Sequence, residues 1–152
     1  THKSMRILMV CLGNICRSPL AEGILKSKTQ NLDVYIDSAG TASYHVGNLP
    51  DSRSIEIANK NGIDLTYQRA RQFSEKDFDD FDKIYAMDTN NYSNIISLGR
   101  NQSDRDKVDV ILNELTPKSY DSVPDPYYGA GDGFQIVYNM LDNACDAIVG
   151  KL

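Results

Sequence analysis

Short apolar runs alternate along this chain with segments of helical periodicity, and that alternation limits the fold more than any other feature. Met5–Val10 is a compact run rich in large apolar residues and reads as a buried strand. Val34–Ile36, Lys83–Met87 and Val108–Leu112 read as three more strands. Between them fall helical stretches. The first opens at Ser18-Pro19, with Leu20, Ala21, Ile24 and Leu25 on one face and Glu22, Lys26 and Lys28 elsewhere. The next, Asp51–Lys60, is stopped by Gly62. A short helix follows the capping-box pattern Ser74-Glu75-Lys76-Asp77, with Phe73 and Phe78 at staple spacing. Thr89–Leu98 is closed by Gly99, and the last helix runs from about Phe134 to Val149 with Val137, Leu141 and Ile148 on its apolar side. Strands alternating with helices join by right-handed crossovers into a parallel sheet covered on both faces. The expected class is α/β, a three-layer sandwich of four parallel strands and flanking helices.

In such a sheet, ligands sit beyond the carboxyl ends of the strands, at the topological switch point. Cys11 lies at the carboxyl end of the first strand, and Cys11-Leu12-Gly13-Asn14-Ile15-Cys16-Arg17-Ser18 joins that strand to a helix N-terminus. A phosphate monoester dianion needs donors converging on its oxygens, a nucleophile in line with the leaving group, and an acid behind it. A strand-to-helix loop supplies backbone N–H groups and the positive helix end. Gly13 allows close backbone approach, and Asn14 tolerates positive φ. Arg17 can return to the loop mouth and hold two phosphate oxygens with its planar fork. A thiol facing a helix N-terminus ionises more readily than free cysteine, which suits Cys11 to nucleophilic attack. A Ser18 hydroxyl near the helix start can donate to that sulfur. The spacing C-x5-R alone fits a structural cysteine before an ordinary turn equally well. Its placement after an apolar strand and before Ser-Pro favours the phosphate loop.

Composition narrows the partners. The 152 residues suit one domain, taken as 5–152, with Thr1 to Ser4 set aside as an expression remnant or frayed end. The formal net charge of −5 disfavours nucleic acid, so any phosphate site must be local. No apolar run approaches the ~20 residues that cross a bilayer, and no secretory leader is evident. A cytoplasmic protein with no membrane association is expected. The three cysteines Cys11, Cys16 and Cys145 cannot all pair, and two histidines with no C-x-x-C give no structural zinc pattern. No metal or cofactor is expected. The loop also lacks the Gly-Lys-Ser/Thr of a nucleotide-binding loop.

An acid on a separate loop is needed to protonate a phenolate leaving group. Asp125, between Pro124 and Pro126, is the best-presented carboxylate, although a turn aspartate between prolines has the same appearance. A family resemblance decides the matter. Val10-Cys11 through Pro19-Leu20-Ala21-Glu22 resembles the signature of the low-molecular-weight protein tyrosine phosphatases. The likeness continues through Asp37-Ser38-Ala39-Gly40-Thr41, Ala70-Arg71-Gln72, Phe81-Asp82, Ala86-Met87-Asp88 and Asp125-Pro126-Tyr127-Tyr128.

This resemblance implies a flavodoxin-like fold and hydrolysis of phosphotyrosine through a phosphocysteine on Cys11, with Asp125 as general acid and then base. Substrates would be phosphotyrosine proteins or aryl phosphates, with inorganic phosphate and other oxyanions also entering the loop. It implies an aromatic rim of Tyr44 and Tyr127. Tyr128 is open to a place in that rim or to being phosphorylated itself. Residues matching Asn14, Ser18 and Ser38 form a network beneath the loop in relatives, often completed by histidine where this chain has Gln68. Asp88 either holds Arg17 or caps a helix. Cys16 either lends only its backbone N–H or serves as a resolving thiol for oxidised Cys11. Cys145 is expected in the core.

Other readings fit the residues less well. A phosphoarginine phosphatase of the same family carries Thr where this chain has Ile15, and arsenate reduction needs two further shuttling cysteines. A non-catalytic phosphate-binding module would not need nucleophile, arginine and acid together. The chain is read as a monomer or weak dimer.

Overall fold

Four parallel strands run in the order β2-β1-β3-β4, where β1 is Met5–Cys11, β2 Val34–Gly40, β3 Lys83–Ala86 and β4 Val108–Val110. The computed structural model describes residues 4–126 and 132–152. Every residue of β1 from Ile7 to Cys11 is buried, as expected of a strand covered on both faces rather than one that alternates. Its side chains divide the core. Ile7, Met9 and Cys11 face α1 (Arg17–Lys28), α2 (Ser52–Lys60) and α6 (Gly133–Val149). Leu8 and Val10 face Phe73, α3 (Lys76–Asp80) and α4 (Thr89–Ser97). These three layers match the expected α/β sandwich. The sequence order reverses about β1, whose neighbours are β2 and β3, so the switch point lies beside Cys11.

Local chemistry accounts for the helix boundaries. Asp51 caps α2, its carboxylate accepting from the Arg53 N–H at 2.9 Å, and Gly62 leaves the far end with φ of 76°. The expected capping box before α3 forms by half. The Asp77 carboxylate accepts from the Ser74 N–H at 2.9 Å, and the Phe73 and Phe78 rings meet edge-on at 5.2 Å.

The structure corrects several boundaries. β2 runs on to Gly40 because Asp37 to Gly40 pair with Leu8 to Cys11, carrying polar Ser38 into the interior. β4 ends at Val110, since β3 offers it only three partners, and Ile111–Glu114 turns as a 3-10 helix. A further helix, α5 (Gln102–Asp106), is capped by Asn101 accepting from the Asp104 N–H at 2.8 Å. Glu22, off the apolar face read for α1, is 2% exposed beneath the end of β2. No helix among the described residues is long and apolar enough to cross a membrane.

Candidate active site

The loop after β1 is held open from outside. The carbonyls of Cys11 and Leu12 accept from the N–H groups of Thr41 and Ala42, each at 2.9 Å, and the Ile15 carbonyl accepts from Asp51 at 2.8 Å. The Cys16 carbonyl takes the Leu20 N–H at 3.4 Å and the Ser54 hydroxyl at 3.3 Å. With these carbonyls tied outward, no hydrogen bond between described residues uses the N–H groups of Gly13 to Arg17. Five successive amide donors at the start of a helix are an arrangement that can hold an anion. Gly40 lets the loop close against β2. A Cβ there would lie 2.7 Å from the Leu12 oxygen and 3.0 Å from the Asn14 nitrogen.

Asn14 is the hub beneath the loop. Its φ of 58° is left-handed, a conformation asparagine tolerates. The Arg71 N–H, which can only donate, lies 3.0 Å from its Oδ1 and fixes the amide orientation. Its Nδ2 therefore donates to Ser18 Oγ at 2.8 Å and to Ser38 Oγ at 3.0 Å. Ser18 Oγ lies 3.0 Å from Cys11 Sγ and 3.5 Å from the Ala39 carbonyl. The shorter contact is to the sulfur. Ser38 donates at 2.6 Å to the buried Glu22 carboxylate.

Arg17 is 3% exposed, so its guanidinium needs partners. One nitrogen, Nη1, donates to Asp88 Oδ2 at 2.7 Å and to the Val123 carbonyl at 2.9 Å. Its Nη2 is 3.8 Å from Asp125 Oδ2. The other Asp88 oxygen accepts from the Asn91 N–H at 2.7 Å, so this carboxylate both holds Arg17 and caps α4. The two roles left open for Asp88 coexist. Val123 is itself anchored, its N–H donating to the Met87 carbonyl at 2.9 Å, and it carries Pro124 and Asp125 to the cleft.

One cleft brings together Cys11, Leu12, Gly13, Ile15, Cys16, Arg17, Tyr44 and Asp125. Tyr44 is 76% exposed and stands at the mouth, not deep in the wall. Ser18, Ser38 and Gln68 lie below, with Gln68 Oε1 3.4 Å from Ser38 Oγ. Tyr127 and Tyr128 lie outside the described residues. All three cysteines are buried and free. Burial, followed by the nearby Asp51 charge, pushes the Cys16 thiol well up, and burial pushes Cys145 up to about 12. Among the described residues no cluster of His, Cys, Asp or Glu could hold a metal ion.

Sequence reasoning missed three contributors. His45 lines the cleft and packs its ring on Gly13, where a Cβ would meet Cδ2 at 2.9 Å. Glu22 falls off the apolar face read for α1, and the sequence assigns it no place under the loop. Tyr67 donates to Glu22 at 2.6 Å. The adjacency of Tyr67 to Gln68, at the position where relatives often place histidine, was the one available signal.

The family model for low molecular weight phosphotyrosine protein phosphatase matches residues 6–152. The low molecular weight phosphotyrosine protein phosphatase of Schizosaccharomyces pombe is 43% identical over 144 residues, covering 91% of each chain. A crystal structure of protein tyrosine phosphatase from Entamoeba histolytica, with Hepes in the active site, has a TM-score of 0.89 at 39% identity and covers 98% of this chain and 100% of that one. The drosophila arginine phosphatase structure has a TM-score of 0.87 at 35% identity, covering 97% of both chains. The cleft and the whole-length likeness agree, and the chain belongs to the low molecular weight phosphotyrosine protein phosphatase family.

Proposed function

We propose that the chain hydrolyses phosphotyrosine in proteins, and aryl phosphates generally, through a phosphocysteine on Cys11. The observation that carries this reading is the convergence of Cys11, Arg17 and Asp125 on one cleft floored by an amide cradle. In the first step the Cys11 thiolate attacks phosphorus while the phenol oxygen leaves with a proton from Asp125. Arg17 and the loop amides hold the equatorial oxygens and stabilise their charge in the transition state. In the second step Asp125, now ionised, takes a proton from water that attacks phosphorus, and sulfur leaves. The Ser18 hydroxyl, 3.0 Å from Sγ, stabilises the departing thiolate. Inorganic phosphate is the product and a competitive ligand of the same cradle.

Tyr44 at the mouth, with Tyr127 and Tyr128 in the family's Asp-Pro-Tyr-Tyr segment, would flank an aromatic ring. Cys16 takes the role of a resolving thiol. Peroxide oxidises Cys11 to a sulfenic acid, Cys16 attacks it with loss of water, and an external thiol reduces the disulfide.

Phosphoarginine is the second reading, supported by the likeness to the drosophila arginine phosphatase. Against it, Ile15 puts an aliphatic side chain into the cleft where a hydroxyl could hold a guanidinium. Steady-state hydrolysis of phosphotyrosine, phosphoarginine and phosphoserine peptides, without added metal, separates the readings. Phosphotyrosine activity lost in Cys11→Ser is expected. A preference for phosphoarginine overturns the substrate and keeps the mechanism.

A further inference from the structure

A chain of hydrogen bonds leads away from the loop to the surface, and the links from Tyr67 to Ser18 have a fixed direction. The Gln68 amide is oriented by the Pro19 carbonyl, which can only accept, at 3.0 Å. Its Nε2 is also 3.3 Å from the Tyr67 hydroxyl, so that hydroxyl accepts from Gln68 and donates its own proton to Glu22 Oε2 at 2.6 Å. Lys26 adds its ammonium to the same oxygen at 3.0 Å and stacks over the Tyr67 ring at 4.3 Å. The other Glu22 oxygen receives the Ser38 hydroxyl. Ser38 thereby has its proton committed and offers only lone pairs to Asn14, whose second amide hydrogen goes to Ser18. Ser18 keeps its own proton, with the Cys11 sulfur at 3.0 Å nearer to it than the Ala39 carbonyl at 3.5 Å.

We infer that Tyr67 is a positioning residue for the phosphate loop, acting through Glu22, Ser38, Asn14 and Ser18 on the Cys11 sulfur. It stands in this chain beside Gln68, which has no charge to contribute, and with Lys26 and Ser38 it supplies the donors that surround the buried Glu22 carboxylate. Burial and the Glu22 hydrogen bond both push the Tyr67 phenol far up, so it stays a donor throughout the working range. The inference rests on the phosphocysteine reading above. Its effect belongs to the step in which sulfur leaves, since the Ser18 proton stabilises the thiolate formed there.

Tyr67→Phe removes the hydroxyl and keeps the ring over Lys26. With a good aryl leaving group, kcat falls about fivefold, the worth of one ordinary hydrogen bond, and the pre-steady-state burst of phenol is retained. The inhibition constant for inorganic phosphate stays within about twofold, because the amide cradle and Arg17 are untouched. In a Ser38→Ala background the same substitution has little further effect, as two members of one chain should couple. Unchanged kcat, a loss confined to KM, or a full fivefold loss persisting in Ser38→Ala overturns the inference. The wild-type measurement keeps the two readings apart. An inactive wild type refutes the phosphatase mechanism, whereas an active wild type with an indifferent Tyr67→Phe refutes only the role of Tyr67.

Discussion

Removing the Asn14 side chain is the sharpest test of how the loop is built. Asn14→Ala deletes the two donor bonds to Ser18 and Ser38 and the acceptor for the Arg71 N–H. The site is 3% exposed, so water does not readily replace them. The orphaned backbone donor costs about 1–3 kcal/mol, and the two lost bonds add about 1 kcal/mol each. Alanine at φ of 58° adds about 1 kcal/mol of backbone strain that asparagine largely avoids. The sum is roughly 4–6 kcal/mol, which lowers the thermal midpoint of a chain this size by roughly 10–20 °C. Asn14→Gly relieves the strain and not the lost bonds, so it should recover about 1 kcal/mol relative to alanine. Urea denaturation of the three proteins reads these differences directly. An Asn14→Ala protein within about 0.5 kcal/mol of wild type, the range of an ordinary surface change, would falsify the hub assignment. Glycine no better than alanine would refute the strain component alone.

Three further outcomes follow from the same geometry. Gly40→Ala drives a Cβ into Leu12, Gly13 and Asn14 backbone atoms, which cannot rotate away as a side chain could. It should weaken phosphate inhibition at least about tenfold and cost about 1–3 kcal/mol in denaturation, and normal phosphate affinity would refute the close-approach argument. Asp51→Ala removes the α2 cap, at about 1 kcal/mol near neutral pH. The Asp51 carboxyl is held below its usual range, first by the Arg53 side chain, so its contribution is present above the ordinary carboxylate pKa and lost as pH falls through the folded one. The stability gap between wild type and mutant should therefore shrink below about pH 4, and a gap constant with pH contradicts the assignment. Asp125→Ala should reduce turnover by about a hundredfold or more on phosphotyrosine, and far less on aryl phosphates with weakly basic leaving groups. Equal losses across a leaving-group series would remove Asp125 from the acid role.

The parts of the molecule that were legible in the sequence are those whose information is local. β1 and the loop are contiguous, and an apolar run ending in Cys11 and followed by Ser18-Pro19 dictates strand, turn and helix within fifteen residues. Asp88 was recognised for two roles, and both depend on its place at the end of β3 and the start of α4. The burial of Glu22 is hidden in the sequence because it sits four residues before Lys26, as a solvated ion pair does. Its burial comes from β2 extending to Gly40 and bringing Ser38 over it, a pairing that no window of sequence reveals. α5 carries no apolar stripe across its five residues and is held by an asparagine cap instead. His45 and Tyr67 come from loops distant in sequence, His45 packing on Gly13 of the loop after β1 and Tyr67 bonding Glu22 of α1.

The central claim is that the phosphoryl group passes through Cys11. Rapid acid quench during turnover of an aryl phosphate, followed by mass analysis of the digested protein, reads this without relying on rate. The account predicts one phosphoryl adduct on the peptide containing Cys11, lost in Cys11→Ser and accumulating in Asp125→Ala when the leaving group is good. An active enzyme with no adduct, or with the adduct on another residue, would contradict it.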